Sequence, residues 1–381
     1  MSSTSSNMSK GYLLRMRTAW VGWRNRVLAS PRFQQAATRF WPTRPIARAR
    51  ARELFDLVAG FVYTQTLTAC VQTGLLDLLA RGPTSIEHVS EHCALPPPAA
   101  LRLLRSAAAL RLVEHLGEDW ALGRAGAALC GNAGITEMVT HHPMLYADLA
   151  DPVGLLRRGG GGGRLANYWG YARTDDALES AEVDPYSRLM AASQPLVAAQ
   201  IVRSYRFSRH RRMLDIGGGE GRFLETVAGT AKALNLGLFD LPAVVERGRA
   251  RLGEAGLESR TTFHAGSFLG DPLPRGYDLI TLVRVLHDHD DAPALRLLRA
   301  IHDALPAGGR LLIAEPMAGT RGAEPAGDAY FGMYLFAMGS GRPRTSHEID
   351  AMLRLAGFAT ARMVATALPL TCSIIVASRG N

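Results

Sequence analysis

The sequence predicts an α/β protein: a doubly wound, Rossmann-like parallel sheet in the C-terminal half, preceded by a helical module. Three observations carry this. From Arg211 onward, short apolar runs bounded by turn residues alternate with helical stretches. A glycine-rich turn joins the first of these runs to an apolar helix, and residues 51–129 keep a helical period broken by only one pair of strand-like runs. The 381 residues give room for two or three domains. With 47% hydrophobic and 20% charged residues and no uninterrupted apolar run long enough to cross a bilayer, the composition excludes collagen, disorder and a membrane-spanning bundle.

Residues 1–52 read as a basic arm, in which Lys10 and ten arginines stand against no acid. The chain's formal charge of +9 belongs to this arm, because 32 bases face 34 acids from Glu53 onward. Nucleic-acid-binding proteins more often carry their bases on a folded face, so no nucleic-acid partner is expected. Tyr12, Leu13, Leu14, Trp20, Trp23, Phe33, Phe40 and Trp41 interleave with the bases. Indole and guanidinium together suit a helix resting on an anionic membrane surface, and they suit equally an arm packed on the protein's own body. The Ser- and Arg-rich, acid-free opening also has the composition of an organellar transit peptide. Cysteines at 70, 93, 130 and 372 form no C-x-x-C pair. Free thiols in a reducing, cytoplasmic compartment are therefore expected, with the inner membrane as the surface the arm would meet, and no structural zinc.

Residues 53–185 read as a helical winged-helix module and linker. An apolar block from Phe55 to Leu79 is followed by the turn Gly82-Pro83-Thr84, a short helix, Leu95-Pro96-Pro97-Pro98 and a second helix from Ala99 to Leu110. Strands are expected at Arg111–Glu114 and Trp120–Leu122, around the turn at residues 117–119. Helix, helix, ribbon is the winged-helix order, but the second helix is mostly apolar, which favours burial or protein contact over a DNA groove. The five glycines 159–163 are expected to form a flexible joint. His141, His142, Tyr146, Tyr168, Trp169 and Tyr171 around them either line a cleft or pack a loop.

Residues 186–381 carry the expected sheet, with strands at Met213–Ile216, Leu236–Asp240, Leu279–Val283 and Leu311–Ala314 and a helix over Ala294–Leu305. The first strand runs into Gly217-Gly218-Gly219-Glu220-Gly221, where the absence of Cβ atoms lets a ligand lie against the backbone. The spacing is G-x-G-x-G rather than the G-x-G-x-x-G that seats a pyrophosphate, so a nucleoside without phosphates fits better than a dinucleotide. Asp240 closes the second strand, where a carboxylate can accept both ribose hydroxyls.

Asp215-Ile216-Gly217-Gly218-Gly219-Glu220-Gly221, Phe239-Asp240-Leu241-Pro242, Gly266-Ser267-Phe268, Leu286-His287-Asp288 and Ala314-Glu315-Pro316 follow one another in order. Together they resemble the signatures of the S-adenosylmethionine-dependent O-methyltransferases of the plant caffeate and bacterial polyketide type, over roughly residues 53–381. Within that family the arm from Arg24 to Arg52 and the segment Gly339–Thr345 are most similar to the carotenoid hydroxyl methyltransferases of purple photosynthetic bacteria. The resemblance implies S-adenosylmethionine as cofactor, an N-terminal winged-helix dimerisation domain and hence a homodimer. It also implies a hydrophobic substrate, a carotenoid hydroxyl of the demethylspheroidene or hydroxyneurosporene type. It places Asp215, Gly217, Gly219, Asp240, Ser267, Phe268 and Arg284 at the cofactor, His287 as the base and Glu315 as the acid that orients it. Ser267 stands where many members have an acid, Val283 where the plant enzymes have a lysine, and Pro343 where they have a second catalytic glutamate.

His287-Asp288-His289-Asp290-Asp291 partly matches an H-x-H-x-D-H metal motif, but Ala292 replaces its last histidine and no second cluster completes a ligand set, so no metal is expected. Tyr330, Phe331, Met333, Tyr334, Phe336 and Met338 either face the cleft, where such adaptable groups suit a long apolar substrate, or pack the core. Two alternatives stand beside the carotenoid reading: an O-methyltransferase of a phenolic or polyketide hydroxyl, and a winged-helix regulator that only senses a small ligand.

Overall fold

The computed structural model describes residues 3–169 and 194–380; Tyr171 and the expected boundary at 185/186 lie outside them. The chain opens with α1 (Ser3–Ala29), α2 (Pro31–Arg39) and α3 (Arg44–Gln72). Proline in the first turns of α2 and α3 sets the helical φ where no intrahelical N–H is needed. Packing runs from α1 to α2 and from α2 to α3. Trp20 and Trp23 stack at 4.9 Å yet stay exposed, as do Tyr12, Leu14, Phe33 and Trp41. Helix α3 is also long and apolar enough to cross a membrane by length and composition alone, and its most apolar stretch is largely unburied.

The apolar block expected as one unit over Phe55–Leu79 is two helices. Gly74 adopts φ +69° and turns the chain from α3 into α4 (Leu75–Leu79). After it come α5 (Ile86–His92), α6 (Pro97–Ala109), β1 (Val113–Leu116) and β2 (Asp119–Leu122), the last two an antiparallel hairpin, so the helix–helix–ribbon order is present. Leu75, Leu79, Val89, Leu104, Val113 and Trp120 form its core. Strand β1 begins two residues later than expected because the end of α6 consumes residues 110–112. Arg111 takes φ +61°, and the Leu112 N–H turns back to the Ala107 carbonyl at 2.9 Å.

Helices α7 (Arg124–Cys130), α8 (Ala133–Asp148), α9 (Pro152–Arg157) and α10 (Arg164–Tyr168), followed by α11 (194–204), lead to the sheet. The glycine run between α9 and α10 is a packed turn rather than the joint expected from composition. Gly159 to Gly162 all have positive φ, and a Cβ on Gly160 would lie 2.5 Å from the Phe336 carbonyl oxygen, which the Gly161 N–H meets at 2.9 Å. Here glycine serves close approach of two backbones. Each of the four cysteines is a free thiol.

The sheet holds β3 (Arg212–Ile216), β4 (Asn235–Asp240), β5 (Thr261–Ala265), β6 (Leu279–Val283), β7 (Arg310–Glu315), β8 (Thr360–Val364) and β9 (Ser373–Ser378), in the order β5-β4-β3-β6-β7-β9-β8. The five strands β3 to β7 are parallel, and β9 inserts antiparallel between β7 and β8. Alternation along each strand divides the core. Met213, Leu236 and Leu312 face one layer with α11, α12 (Arg222–Thr230) and the inner face of α13 (Pro242–Glu254). Leu214, Ile280 and Ile313 face the other, with α14 (Asp291–Ala304) and α16 (Ser346–Leu355). A π-helical turn at Pro325–Phe331 and α15 (Gly332–Met338) lie between β7 and α16. The chain moves outward from β3 to β5 and then returns to β6 on the opposite side of β3. The carboxyl ends of β3 and β6 therefore flank the crevice where sheets of this kind bind ligands.

Candidate active site

Five strand ends converge on that crevice. After β3, Gly217 and Gly219 take φ +67° and +57°, and the Gly217 N–H donates to the Phe239 carbonyl at 2.8 Å, drawing the loop across the top of β4. The position a Cβ would occupy on Gly219 is open space. Asp240 ends β4 half-buried, its Oδ2 accepting the Gly219 N–H and its Oδ1 the Leu241 N–H, both at 2.8 Å. Each oxygen keeps a lone pair for a further donor. Burial pushes the Asp240 carboxyl up to about 6, against the pull of those two N–H groups.

Asp215 sits deeper than the crevice. It is 1% exposed, accepts the Thr281 hydroxyl at 2.6 Å, and burial pushes its carboxyl up to about 7. Beyond β5, the Ser267 N–H meets Asp271 Oδ2 at 2.7 Å and the Ser267 hydroxyl accepts the Leu269 N–H at 3.3 Å. An acid thus stands at this turn although Ser267 itself is none; a four-residue offset hides Asp271 from motif matching. Phe268 packs edge-on against His289 at 5.2 Å.

The turn after β6 carries Arg284, His287 and His289. Arg284 adopts φ +58° and donates its N–H to the Ala314 carbonyl of β7 at 2.9 Å, a left-handed step that redirects the chain sharply across the strand ends. His287 is 5% exposed, with Nε2 3.2 Å from Asp288 Oδ1 and Nδ1 3.7 Å from Glu315 Oε1. Glu315, 1% exposed at the end of β7, accepts the His287 main-chain N–H at 3.1 Å. Its hold on the base therefore runs first through the backbone, and Nδ1 has no hydrogen-bond partner among the described residues. Burial disfavours charge on His287, but the carboxylates of Asp288 and Glu315 outweigh it, and the imidazole pKa is raised above its ordinary 6.5. Burial holds His289 down to about 4. Glu315 and Asp290 also favour a proton on His289, but there burial outweighs them, whereas at His287 the acids prevail. Among the described residues no group of three or more His, Cys, Asp or Glu side chains is placed to hold a metal ion.

The structure also joins the two aromatic groups that lie far apart in the sequence. Tyr334 Oη pairs with His141 Nε2 at 2.6 Å and accepts the Trp169 indole N–H at 3.1 Å, while Tyr330 Oη pairs with His142 Nε2 at 2.9 Å. Phe331 links this wall to the base, its ring 5.9 Å from that of His287. Tyr334 and Met338 are buried, whereas Tyr330, Phe331 and Met333 remain partly exposed, so the stretch serves core and surface together.

A glycine loop with open space above Gly219, an acid at the second strand end and an acid-flanked histidine at the switch point suit an enzyme that works with a nucleoside cofactor. The O-methyltransferase domain family model matches residues 146–359. The chain is 41% identical over 356 residues to demethylspheroidene O-methyltransferase of Cereibacter sphaeroides, covering 93% of this chain and 94% of that one. It is 40% identical over 361 residues to the enzyme of the same name from Rhodobacter capsulatus, covering 94% and 90%. The structure of human N-acetylserotonin methyltransferase in complex with SAM superposes with a TM-score of 0.74 at 22% identity, over 87% of this chain and 98% of that one. The chain belongs to the O-methyltransferase domain family and is an S-adenosylmethionine-dependent O-methyltransferase.

Proposed function

We propose that the enzyme methylates a hydroxyl of an apolar carotenoid, of the demethylspheroidene or hydroxyneurosporene type, in carotenoid biosynthesis. The 41% identity over nearly the whole chain to a demethylspheroidene O-methyltransferase carries the substrate reading. The partly exposed Tyr330, Phe331 and Met333, of which Phe331 has its ring 5.9 Å from that of His287, support it, because polarizable, adaptable side chains suit a long polyene. The open space at Gly219 and the free lone pairs of Asp240 fit a nucleoside cofactor. Gly217 and Gly219 would lie along it, Asp240 would accept the ribose hydroxyls, and Ser267, Phe268 and Arg284 would border the adenine side and the strand-end turn. Asp215 would support the loop from below. When bound, S-adenosylmethionine supplies an electrophilic methyl group. His287 takes the hydroxyl proton, and Glu315 fixes its main chain so that the ring meets the substrate oxygen. Incubation with labelled S-adenosylmethionine and a panel of hydroxycarotenoids and phenols tests this. Label in the carotenoids is expected, and label confined to phenols would overturn the substrate reading.

We assign the chain three parts: the arm 1–52, the helical module and linker 53–185, and the cofactor domain 186–381. Two further surfaces follow from exposure. Leu54, Leu57, Val58 and Phe61 of α3 are between 66% and 81% exposed, an apolar stripe suited to a second copy of the chain. The arm combines exposed tryptophans with an excess of bases, suited to peripheral contact with an anionic inner-membrane surface on the cytoplasmic side. Deleting residues 1–43, which ends before α3, is expected to reduce co-sedimentation with anionic vesicles while methyl transfer to a detergent-solubilised substrate persists. Equal co-sedimentation of both proteins would remove the membrane role.

A further inference from the structure

The turn that carries His287 is held from below by residues 340–344. Four successive main-chain carbonyls of that turn are engaged: Leu286 accepts from Arg344 Nη1 at 2.8 Å, His287 from the Arg342 N–H at 2.9 Å, Asp288 from the Ser340 hydroxyl at 3.1 Å, and His289 from Arg344 Nη2 at 2.7 Å. The Gly341 N–H donates to Asp290 Oδ1 at 2.9 Å. Arg344 is 1% exposed, and its guanidinium also meets Asp291 Oδ1, from Nε at 3.0 Å and from Nη2 at 2.8 Å. At its other end the Arg344 carbonyl accepts the Ala318 N–H at 3.0 Å, in the loop that leaves Glu315. Gly341 has φ +74°, and a Cβ there would fall 2.1 Å from the His287 carbonyl oxygen.

We propose that Arg344 is a positioning residue for methyl transfer, its buried guanidinium fixing the main chain of the His287 turn while its own carbonyl ties that turn to the loop carrying Glu315. Structure alone does not require a charge here. A buried guanidinium is costly to desolvate, and an apolar side chain could fill the same space. A planar fork can bind two carbonyls and a carboxylate in one fixed geometry, which an ammonium on a flexible stem cannot. Among the described residues the His287 ring has no hydrogen bond on Nδ1, and the partner of its Nε2, Asp288, belongs to the same turn. The ring's placement therefore depends on the main chain of that turn, which Glu315 holds on the N–H side and residues 342–344 on the carbonyl side. A misplacement of about 1 Å in a reacting group costs on the order of 10²-fold in rate.

The inference rests on the methyltransferase reading, so the test has one arm that needs no acceptor substrate. In Arg344→Lys and Arg344→Met, kcat with the hydroxycarotenoid is expected to fall on the order of 10²-fold, with KM for S-adenosylmethionine and cofactor affinity by calorimetry unchanged. In the same proteins, labelled with 15N-histidine and free of substrate, the His287 imidazole should titrate closer to 6.5 than in wild type, because the ring has shifted from Asp288 and Glu315. If either Arg344 variant fails to melt cooperatively, Gly341→Ala decides, since it retains Arg344 and displaces the His287 carbonyl directly; the same loss of kcat and the same change in titration are expected. Variants that keep wild-type kcat and His287 titration while losing only thermal stability would reduce Arg344 to a packing residue. An inactive wild type with the expected imidazole shifts would count against the substrate reading and leave the positioning role supported.

Discussion

His287→Ala is expected to lower single-turnover methyl transfer on the order of 10²–10⁴-fold while leaving S-adenosylmethionine affinity unchanged. An aliphatic hydroxyl of the proposed carotenoid kind is far less acidic than a phenol, so almost no alkoxide exists near neutral pH and proton removal must accompany attack on the methyl group. Among the described residues of the turn after β6, the acids draw His287 up above its ordinary range and leave His289 below it. Residue 343 is a proline, which can neither take nor give a proton, and His289, though held neutral by burial, has its ring edge-on to Phe268. Since the His287 imidazole is raised above 6.5, its base form is lost as pH falls through that raised value, and the rate should decline with it. Glu315→Gln removes one of the two carboxylates that raise it. A smaller loss is expected there, with the acid limb of the rate profile moved down toward 6.5. Near-wild-type transfer by His287→Ala would show that proximity and desolvation suffice, and the base would have to be sought elsewhere.

Much of this site was legible because each strand end is marked by its own local chemistry. A strand must stop where Gly217, Asp240 or the His287 turn begins, so apolar runs and the residues that break them locate the crevice without any knowledge of distant contacts. The edge strand β5 went unread because Thr261-Thr262-Phe263-His264-Ala265 is half-exposed and shows no apolar run. Strand β9 is apolar enough to be seen, but nothing in Ser373–Ser378 encodes that it runs antiparallel beside β7; that follows from the connection through β8. The glycine run was misread because composition reports only freedom, and the constraint comes from the Phe336 backbone, 176 residues further along from Gly160. The sequence assigns Arg344 no role, since a buried guanidinium is indistinguishable there from a surface one. Asp288 belongs both to the Leu286-His287-Asp288 signature and to a metal-like run, and neither gives it a role; its place beside His287 Nε2 needs the fold of the turn.

Asp240→Asn is the second change with a large expected effect, and it reads on the cofactor rather than on the proton. The variant keeps the shape of the carboxylate and one oxygen for the Gly219 or Leu241 N–H, so the loop after β3 should persist. It loses the charge, and its amide nitrogen cannot accept from a ribose hydroxyl. A hydrogen bond to a charged acceptor is worth about 1.5–3 kcal/mol, so loss of one raises the Kd for S-adenosylmethionine on the order of 10–100-fold, and loss of both raises it further. Because burial lifts the wild-type carboxyl to about 6, the charged form prevails above that value and the acid form below it. Wild-type affinity should therefore weaken as pH is lowered through about 6, and the Asn variant, having no proton to gain at this position, should lack that component. Calorimetric titration of both proteins across this range separates the two effects. An unchanged Kd in Asp240→Asn would remove the residue from the cofactor site, whereas a raised Kd with the wild-type pH dependence intact would mean that another group carries the titration.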